Sequence, residues 1–258
     1  MKVVILAGGA GTRISEETDL RPKPMIEIGG KPILWHIMKS YSNYGFNEFI
    51  ICLGYKGEHI KKYFADYHLH MSDITFNLRE NTMERHNNYT EAWKVTLVDT
   101  GLSTLTGGRL KRLTKYLKDE DSFLMTYGDG VADVDLHALV RFHQAHGKLA
   151  TLTAISPNER FGVPEIDPKG LVTSFREKQR YDGMEVNGGY FVLSPKVLDY
   201  IAGDATSFEQ EPLDKLSAEG NLYAFRHRGF WQCMDTLRDK NLLEDLWKKG
   251  AAPWKTWS

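Results

Sequence analysis

Residues 3–13 of the chain read VVILAGGAGTR, a short apolar run followed by three glycines and an arginine. The apolar residues at 3–6 are mostly β-branched, which is typical of a parallel strand buried on both faces. Glycine lets the backbone approach a ligand closely, and neighbouring backbone N–H groups can surround an anion. The guanidinium of Arg13 adds a planar fork suited to phosphate oxygens. The stretch predicts a buried strand that ends in an anion-binding loop, although a plain tight turn would also explain the glycines.

The spacing of these glycines excludes two common nucleotide-binding motifs. A P-loop needs a lysine six positions after its first glycine, and the chain has Ile14 six positions after Gly8. The dinucleotide-binding pattern GxGxxG, counted from Gly9, also fails at Ile14. Both the P-loop and the dinucleotide dehydrogenase interpretations are weakened.

Apolar patterns along the rest of the chain alternate between strands and helices. They predict strands at residues 3–6, 49–53, 74–78, 95–98, 123–127, 149–155, 171–177 and 186–193, and helices at residues 32–44, 56–67, 107–117, 136–146 and 236–249. The early strand–helix–strand–helix order implies parallel pairing with right-handed crossovers. Polar turns between the last strands indicate that part of the sheet is antiparallel. We therefore predict an α/β fold with a mixed sheet, formed by residues 1–258 as one domain.

Composition narrows the class of protein. The chain has 258 residues, 41% of them apolar, so it can bury one substantial core. Its 33 basic and 34 acidic side chains give a formal charge of -1, which argues against nucleic acid as a partner. No apolar run reaches the length of a membrane span or a secretion signal, and Cys52 and Cys233 are too few for a disulfide framework. These features predict a cytoplasmic protein that does not bind membranes.

A lysine lies between two prolines shortly after the glycine loop, in the sequence RPKPM at residues 21–25. Proline fixes its own φ angle and restricts the residue before it, so we expect Lys23 on a stiff, extended backbone. A flexible cation would thereby gain a fixed direction. A rigid loop with a solvated lysine is the alternative, but the nearby glycine loop favours a phosphate-binding role.

Two aspartates are candidate ligands for a divalent cation. Transfer between two phosphate-bearing anions needs such an ion, and Mg²⁺ takes few protein ligands, usually one or two carboxylates. Asp129 follows a predicted buried strand, at the end where open α/β sheets bind ligands. Asp235 precedes the last predicted helix. Turn formation by Gly-Asp-Gly and helix capping are the simpler interpretations of Asp129 and Asp235, and Asp135 could likewise cap the next helix.

Other catalytic motifs receive no support. The nine histidines show no HExxH pattern, so the sequence does not support a zinc site. The sequence GLSTL at residues 101–105 fails as a GxSxG nucleophile elbow at its last position, Leu105.

Six motifs together resemble the sugar nucleotidylyltransferases, and within them the group of glucose-1-phosphate cytidylyltransferases. They are VILAGGAGTR at residues 4–13, PKP at 22–24, TGGR at 106–109, YGDGVAD at 127–133, MDTLRDK at 234–240 and APWKTW at 252–257. The resemblance spans essentially the whole chain. It implies a Rossmann-like, mostly parallel sheet flanked by helices, and transfer of CMP from CTP to α-D-glucose 1-phosphate with release of pyrophosphate. It also implies Mg²⁺ as cofactor, a homo-oligomer with a hexamer as one candidate form, and a role in making dideoxysugars for lipopolysaccharide O-antigen.

The same resemblance assigns roles to matching positions. The nucleotide would be bound by Leu6, Ala7, Gly8, Gly9, Ala10, Gly11, Thr12, Arg13, Lys23, Thr104, Arg109 and Gly128. The sugar phosphate would be bound by Gly162, Glu177, Lys178, Asn187 and Gly188, and the metal by Asp129 and Asp235. Catalysis would depend on Arg13, Lys23, Asp129 and Lys178.

The residues leave rival functions open. The same reaction with UTP or dTTP is one, because no residue that reads the base can be identified from sequence. A glycosyltransferase that consumes a nucleotide sugar is another, although it would not need the glycine loop with Lys23. A regulatory subunit that only senses nucleotide would be expected to have lost the lysine or a metal carboxylate, and all are present.

Overall fold

A seven-stranded mixed sheet lies at the centre of the structure, a computed structural model that describes residues 1–11, 14–156, 162–166, 171–177 and 185–257. The strands are β1 (Val3–Leu6), β2 (Glu27–Ile28), β3 (Lys31–Pro32), β4 (Glu48–Leu53), β5 (Ser72–Asn77), β6 (Thr82–Asn88), β7 (Lys94–Asp99), β8 (Phe123–Tyr127), β9 (Gly130–Ala132), β10 (Ala150–Ile155), β11 (Gly162–Ile166), β12 (Val172–Glu177), β13 (Val186–Leu193), β14 (Leu222–His227) and β15 (Trp231–Cys233). The helices are α1 (Ser15–Thr18), α2 (Ile33–Asn43), α3 (Gly57–Ala65), α4 (Tyr67–His70), α5 (Thr106–Lys111), α6 (Thr114–Leu117), α7 (Leu136–His146), α8 (Glu211–Ala218) and α9 (Leu237–Lys248).

The order of the sheet is β14-β10-β13-β8-β1-β4-β7. β1 pairs in parallel with β4 and β8, and β7 and β14 also pair in parallel with their neighbours. β13 is antiparallel to both β8 and β10. The predicted mixed, mostly parallel sheet is thus confirmed. Its parallel part brings the carboxyl ends of β1, β4, β7 and β8 to one edge, where ligands bind in such sheets.

Helices cover both faces of the sheet, which explains the continuous apolar run of β1. Val3, Val4 and Ile5 are all 0% exposed. Val3 and Ile5 belong to a core that includes residues of α2, whereas Val4 packs into a second core on the opposite face with residues of α5. Alternate residues of a strand point to opposite faces, so a strand between two helical layers is apolar at every position.

Two predicted strands lie outside the central sheet. β5 pairs with β6 in an antiparallel ribbon that leaves Phe76 and Leu78 largely exposed. β12 pairs with β11 in a second antiparallel ribbon. The predicted helix at 107–117 is also interrupted, because a turn between α5 and α6 separates it into two short helices. Local patterns identified these two strands but not their partners, because the sequences of β6 (TMERHNN) and β11 (GVPEI) have no clear apolar pattern.

His36 of α2 is buried among aromatic rings of the carboxyl-terminal segment. Its Nε2 donates to the Ile28 carbonyl oxygen at 2.8 Å, and its Nδ1 accepts from the Trp254 indole at 3.4 Å. This arrangement needs the neutral ring, since a protonated ring has no acceptor. Burial lowers the pKa of His36 to about 4.

Acidification is therefore expected to destabilise the protein. The folded-state pKa of His36 lies below the ordinary value of 6.5, so the unfolded chain binds more protons between about pH 6.5 and about pH 4. Burial also lowers the pKa of His143 to about 4. Each histidine should lower the free energy of unfolding by about 1 kcal/mol per pH unit across that window. Urea unfolding at about pH 7 and about pH 5 measures this, and unchanged or greater stability at the lower pH would contradict it.

Candidate active site

The glycine loop begins where β1 ends, beside the ends of β4 and β8. Leu6 and Ala7 are buried, and the Leu6 carbonyl oxygen accepts from the Gly128 N–H at 3.0 Å. The Gly8 carbonyl oxygen accepts from the Tyr55 N–H at 3.1 Å, while Gly9 and Ala10 are exposed. The loop is thus anchored at its start and open to solvent at its tip. Thr12 and Arg13 lie outside the described residues.

Arg109 fixes this loop from behind. Its buried guanidinium donates to the Gly8 carbonyl oxygen at 3.0 Å, to the Leu53 carbonyl oxygen at 3.0 Å and to the Gly101 carbonyl oxygen at 2.8 Å. One arginine thereby connects the segments that follow β1, β4 and β7. Thr104 is buried in the same region, beside Gly101 and Gly108. These hydrogen bonds hold the shape of the loop, and the nucleotide-binding role of Arg109 stays a prediction.

Gly8 and Gly9 offer a matched pair of substitutions. A Cβ at Gly8 would lie 2.2 Å from Nη1 of Arg109, whereas a Cβ at Gly9 would meet nothing within 4 Å. Gly8→Ala should therefore lower the free energy of unfolding by about 1–3 kcal/mol, as overpacking does, while Gly9→Ala should leave it nearly unchanged. Urea unfolding without substrate measures both variants. Equal stability of the two variants would contradict the fixed position of Arg109.

Lys23 lies in a 3-10 turn, Lys23–Met25, rather than on the extended backbone that its flanking prolines predicted. Pro22 is extended, but the Met25 N–H donates to the Pro22 carbonyl oxygen at 2.8 Å and the Ile26 N–H to that of Lys23 at 3.1 Å. The prediction was wrong at Lys23 because these turn hydrogen bonds and the burial of the segment outweigh the local preference. The turn directs the lysine side chain inward, beneath Gly11.

The Lys23 ammonium contacts both candidate metal carboxylates. Its Nζ lies 2.6 Å from Oδ2 of Asp129 and 2.5 Å from Oδ1 of Asp235. Burial acts most strongly and lowers the pKa of Lys23, but the attraction of Asp129 and Asp235 outweighs it and holds that pKa above its ordinary value. The cluster therefore contains a charged lysine between two carboxylates from distant parts of the chain.

Strand pairing brings Asp235 to Asp129. β15 and β9 are antiparallel, with Cys233 opposite Gly130, and the Met234 N–H donates to the Asp129 carbonyl oxygen at 2.8 Å. Thr236 then caps α9 in a capping box with Asp239. Asp235 is thus the residue beside a helix cap, as the simpler interpretation expected, and it also faces the cluster.

The two carboxylates fit a magnesium ion. Both already contact one cation, the Lys23 ammonium, and Mg²⁺ commonly takes one or two carboxylates with its other positions filled by phosphate and water. Within the part of the chain that the structure describes, no group of three or more His, Cys, Asp or Glu side chains could hold a metal. A site of this kind depends on a phosphate-bearing ligand to complete the coordination.

A cavity of about 350 Å³ opens beside this cluster. It is lined by Thr126, Tyr127, Asp129, Gly130, Asn187, Gly188, Gly189, Tyr190, Glu209, Trp231, Cys233 and Asp235. The predicted sugar-binding residues Asn187 and Gly188 are among them, and the Gly188 carbonyl oxygen accepts from the Trp231 indole at 2.6 Å. Gly162 and Glu177 are opposite each other in the β11–β12 ribbon, and Lys178 lies outside the described residues.

Sequence reasoning missed Tyr127, Glu209 and Trp231. Tyr127 ends β8 directly before Gly128, so its position at the carboxyl edge of the sheet could have revealed it. Glu209 precedes α8 and lies in no motif, and Trp231 belongs to a strand that local pattern did not predict. Only the tertiary structure brings these two residues to the cavity.

The sequence profile of the family described as Nucleotidyl transferase matches residues 2–239. With a glycine loop at the edge of a mixed sheet and a lysine between two carboxylates, the chain belongs to this nucleotidyl transferase family. The family prediction is confirmed.

Similar proteins of known name show to which group of this family the chain belongs. The chain is 64% identical over 257 residues to glucose-1-phosphate cytidylyltransferase of Salmonella typhi, with 100% of both chains covered. It is 48% identical over 260 residues to the probable glucose-1-phosphate cytidylyltransferase of Bacillus subtilis, again with 100% of both covered. These similarities place it among the glucose-1-phosphate cytidylyltransferases.

Solved structures of other proteins have the same fold as this chain. HddC from Yersinia pseudotuberculosis, complexed with GMP-PN, is 25% identical and superposes with a TM-score of 0.70 over 95% of this chain and 99% of its own. A putative glucose-1-phosphate thymidylyltransferase from Bacillus anthracis, at 17% identity, gives a TM-score of 0.69 over 100% and 97% of the two chains. Among the described helices, none is long and apolar enough to span a bilayer.

Proposed function

We propose that this chain transfers CMP from CTP to α-D-glucose 1-phosphate, giving CDP-glucose and pyrophosphate. The observation that carries the proposal is the position of the Lys23–Asp129–Asp235 cluster between the glycine loop and the cavity beside Asn187. A nucleotide on one side and a sugar phosphate on the other would meet at this cluster. The choice of CTP and glucose 1-phosphate follows from the full-length relatives.

The reaction needs no general base, because the nucleophile is already an anion. A phosphate oxygen of glucose 1-phosphate would attack the α-phosphorus of CTP in line with the departing group. A new P–O bond forms, the bond from the α-phosphorus to the bridging oxygen breaks, and pyrophosphate leaves with that electron pair. Catalysis then consists of positioning and charge stabilisation.

The chain supplies both. Backbone N–H groups of the loop from Gly8 to Gly11 would neutralise the triphosphate, together with Arg13 from the neighbouring sequence. Lys23, and Lys178 from the segment after β12, would offset the repulsion between the two reactants. Asp129 and Asp235 would hold Mg²⁺, whose chemistry at such a site is to screen phosphate charge and polarise the α-phosphate.

Pyrophosphate release tests the proposal directly. The purified protein is incubated with Mg²⁺, each of CTP, UTP, dTTP, ATP and GTP, and a panel of sugar 1-phosphates. CTP with glucose 1-phosphate should give the highest kcat/KM. Preference for UTP or dTTP would replace the cytidine assignment, and absence of pyrophosphate with every pair would favour a glycosyltransferase or a regulatory subunit.

We also propose that the chain forms a homo-oligomer, with a hexamer as one form. Exposed apolar side chains on the β5–β6 ribbon support this, among them Phe76, Leu78 and Met83. Light scattering coupled to size-exclusion chromatography gives the subunit number, and a monomer at all concentrations would refute the assembly. We further propose that the CDP-glucose formed serves the synthesis of dideoxysugars for lipopolysaccharide O-antigen.

A further inference from the structure

Glu209 is a carboxylate on the cavity wall that the mechanism above does not use. Its Oε1 accepts from the Tyr127 hydroxyl at 2.5 Å. Its Oε2 accepts from the hydroxyls of Thr106 at 2.5 Å and Ser207 at 2.7 Å. Among the described residues, no lysine or arginine forms an ion pair with it, so three hydroxyls and its own backbone N–H stabilise its charge.

These contacts keep Glu209 ionised. Burial acts most strongly and raises its pKa, but the three hydroxyl hydrogen bonds and that from its own backbone N–H outweigh it and hold the pKa of Glu209 below its ordinary value. An ionised carboxylate has about four acceptor positions, and the three hydroxyls fill three of them. Oε1 has one hydroxyl donor and Oε2 has two, so Oε1 is the oxygen better placed to accept from a ligand in the cavity.

Tyr127 extends the same wall. Its hydroxyl donates its proton to Glu209, and its oxygen also forms a hydrogen bond with the Asn187 side chain. The Tyr127 ring packs directly against Gly189, whose φ is 77°. Any residue with a Cβ at this position would place that atom 2.6 Å from the ring. Glu209, with Tyr127 fixed beside it, thus presents a carboxylate acceptor, which suits a ligand rich in hydroxyl donors.

Charge then sets the orientation of a sugar phosphate. The cavity lining includes three carboxylates, Asp129, Glu209 and Asp235, and no lysine or arginine among the described residues. A phosphate would be repelled at Glu209, where no cation offsets the charge. At Asp129 and Asp235 the Lys23 ammonium offsets one carboxylate charge, and the Mg²⁺ of the proposed function would make the net charge positive, so the phosphate would be favoured there.

We propose that Glu209 is a specificity-determining residue that accepts a ring hydroxyl of the sugar, with Tyr127 beside it, and so directs the phosphate toward Lys23. The inference rests on the proposed function and adds the sugar-reading group. It assigns selectivity among sugar 1-phosphates to a loop before α8 that lies in no recognised motif.

Steady-state kinetics of Glu209→Gln test it, with Ser207→Ala as the matched control that removes a different donor from the same carboxylate. Glu209→Gln should raise KM for glucose 1-phosphate roughly 10–100-fold, as expected for a lost hydrogen bond to a charged group, and KM for CTP less than about threefold. Ser207→Ala should change neither by more than about threefold, because Ser207 does not line the cavity. Equal rises in both KM values, or no rise, would overturn the proposal.

A panel of monodeoxy glucose 1-phosphates separates contact from general disturbance. Wild-type protein should have low activity on the one analogue that lacks the hydroxyl contacted by Glu209, and Glu209→Gln should have no lower activity on it. The reason is that the missing hydroxyl and the missing carboxylate remove the same interaction. Additive losses across the whole panel would refute the contact. If thermal unfolding shows that Glu209→Gln is not folded, Tyr127→Phe is measured instead and should raise KM for glucose 1-phosphate. Wild-type protein without turnover on any substrate pair would overturn the proposed function itself, and this inference with it.

Discussion

Replacement of Lys23 by methionine is expected to lower turnover by at least roughly 10²–10³-fold, the usual loss for one group that stabilises charge in a transition state. The methionine keeps an apolar stem of similar length but removes the cation that lies within 2.6 Å of both Asp129 and Asp235. Two carboxylates would then face each other without compensation, in a site that must also receive two phosphate-bearing anions. Pyrophosphate release at saturating CTP and glucose 1-phosphate measures the effect.

The matched control is Lys61→Met, which removes an exposed lysine on α3. It should retain nearly all activity, because a solvated surface charge far from reactants contributes little. Thermal unfolding with and without Mg²⁺ should show that Lys23→Met is folded and gains more from the ion than wild type does. Turnover of folded Lys23→Met close to wild type would mean that this lysine has no part in the chemistry.

Asp129→Asn should reduce turnover by a similar factor, at least roughly 10²–10³-fold. Asparagine keeps the size and turn-forming ability of the side chain but loses the negative charge that would bind Mg²⁺ and pair with Lys23. The loss should persist at saturating substrates, because it concerns transition-state charge rather than binding alone. Calorimetric titration with Mg²⁺ in the presence of CTP should also show weaker binding of the ion.

Asp135→Asn is the control for this variant. Asp135 lies close by in sequence and caps α7, where its Oδ1 accepts from the Ala138 N–H at 2.8 Å. Asparagine caps helices about as well as aspartate, so activity and stability should both be retained. If folded Asp129→Asn matched Asp135→Asn in turnover, the metal assignment would have to be abandoned.

Local sequence patterns located most elements of the central sheet. β1 and β13 have the predicted bounds, and α7 runs from Leu136 to His146 as predicted. These segments were predictable because buried parallel strands are continuously apolar and amphipathic helices repeat at 3.6 residues. Strands β6 and β14 are polar or half-exposed, and no such pattern marks them.

The residues of the candidate site also fall into those that local sequence predicts and those that it does not. The glycine loop and Asp129 could be placed in advance, since each directly follows a strand that local pattern reveals, and strand ends meet at one edge of a sheet. The hydrogen bonds of Arg109 could not be predicted, because they join Gly8 to Leu53 and Gly101 across long sequence separations. Glu209 reaches Tyr127 over 82 residues, and no local pattern records that contact.

The sequence by itself determined the order of the strands and helices that apolar patterns mark, the position of the amino-terminal glycine loop and the family, because each depends on residue types close together in the chain. The tertiary structure alone decided that Lys23 lies in a turn between Asp129 and Asp235, and that Glu209 belongs to the cavity. The physical reason is that burial and ion pairing between distant segments outweigh the local preference of the backbone, and only the folded chain brings those segments together.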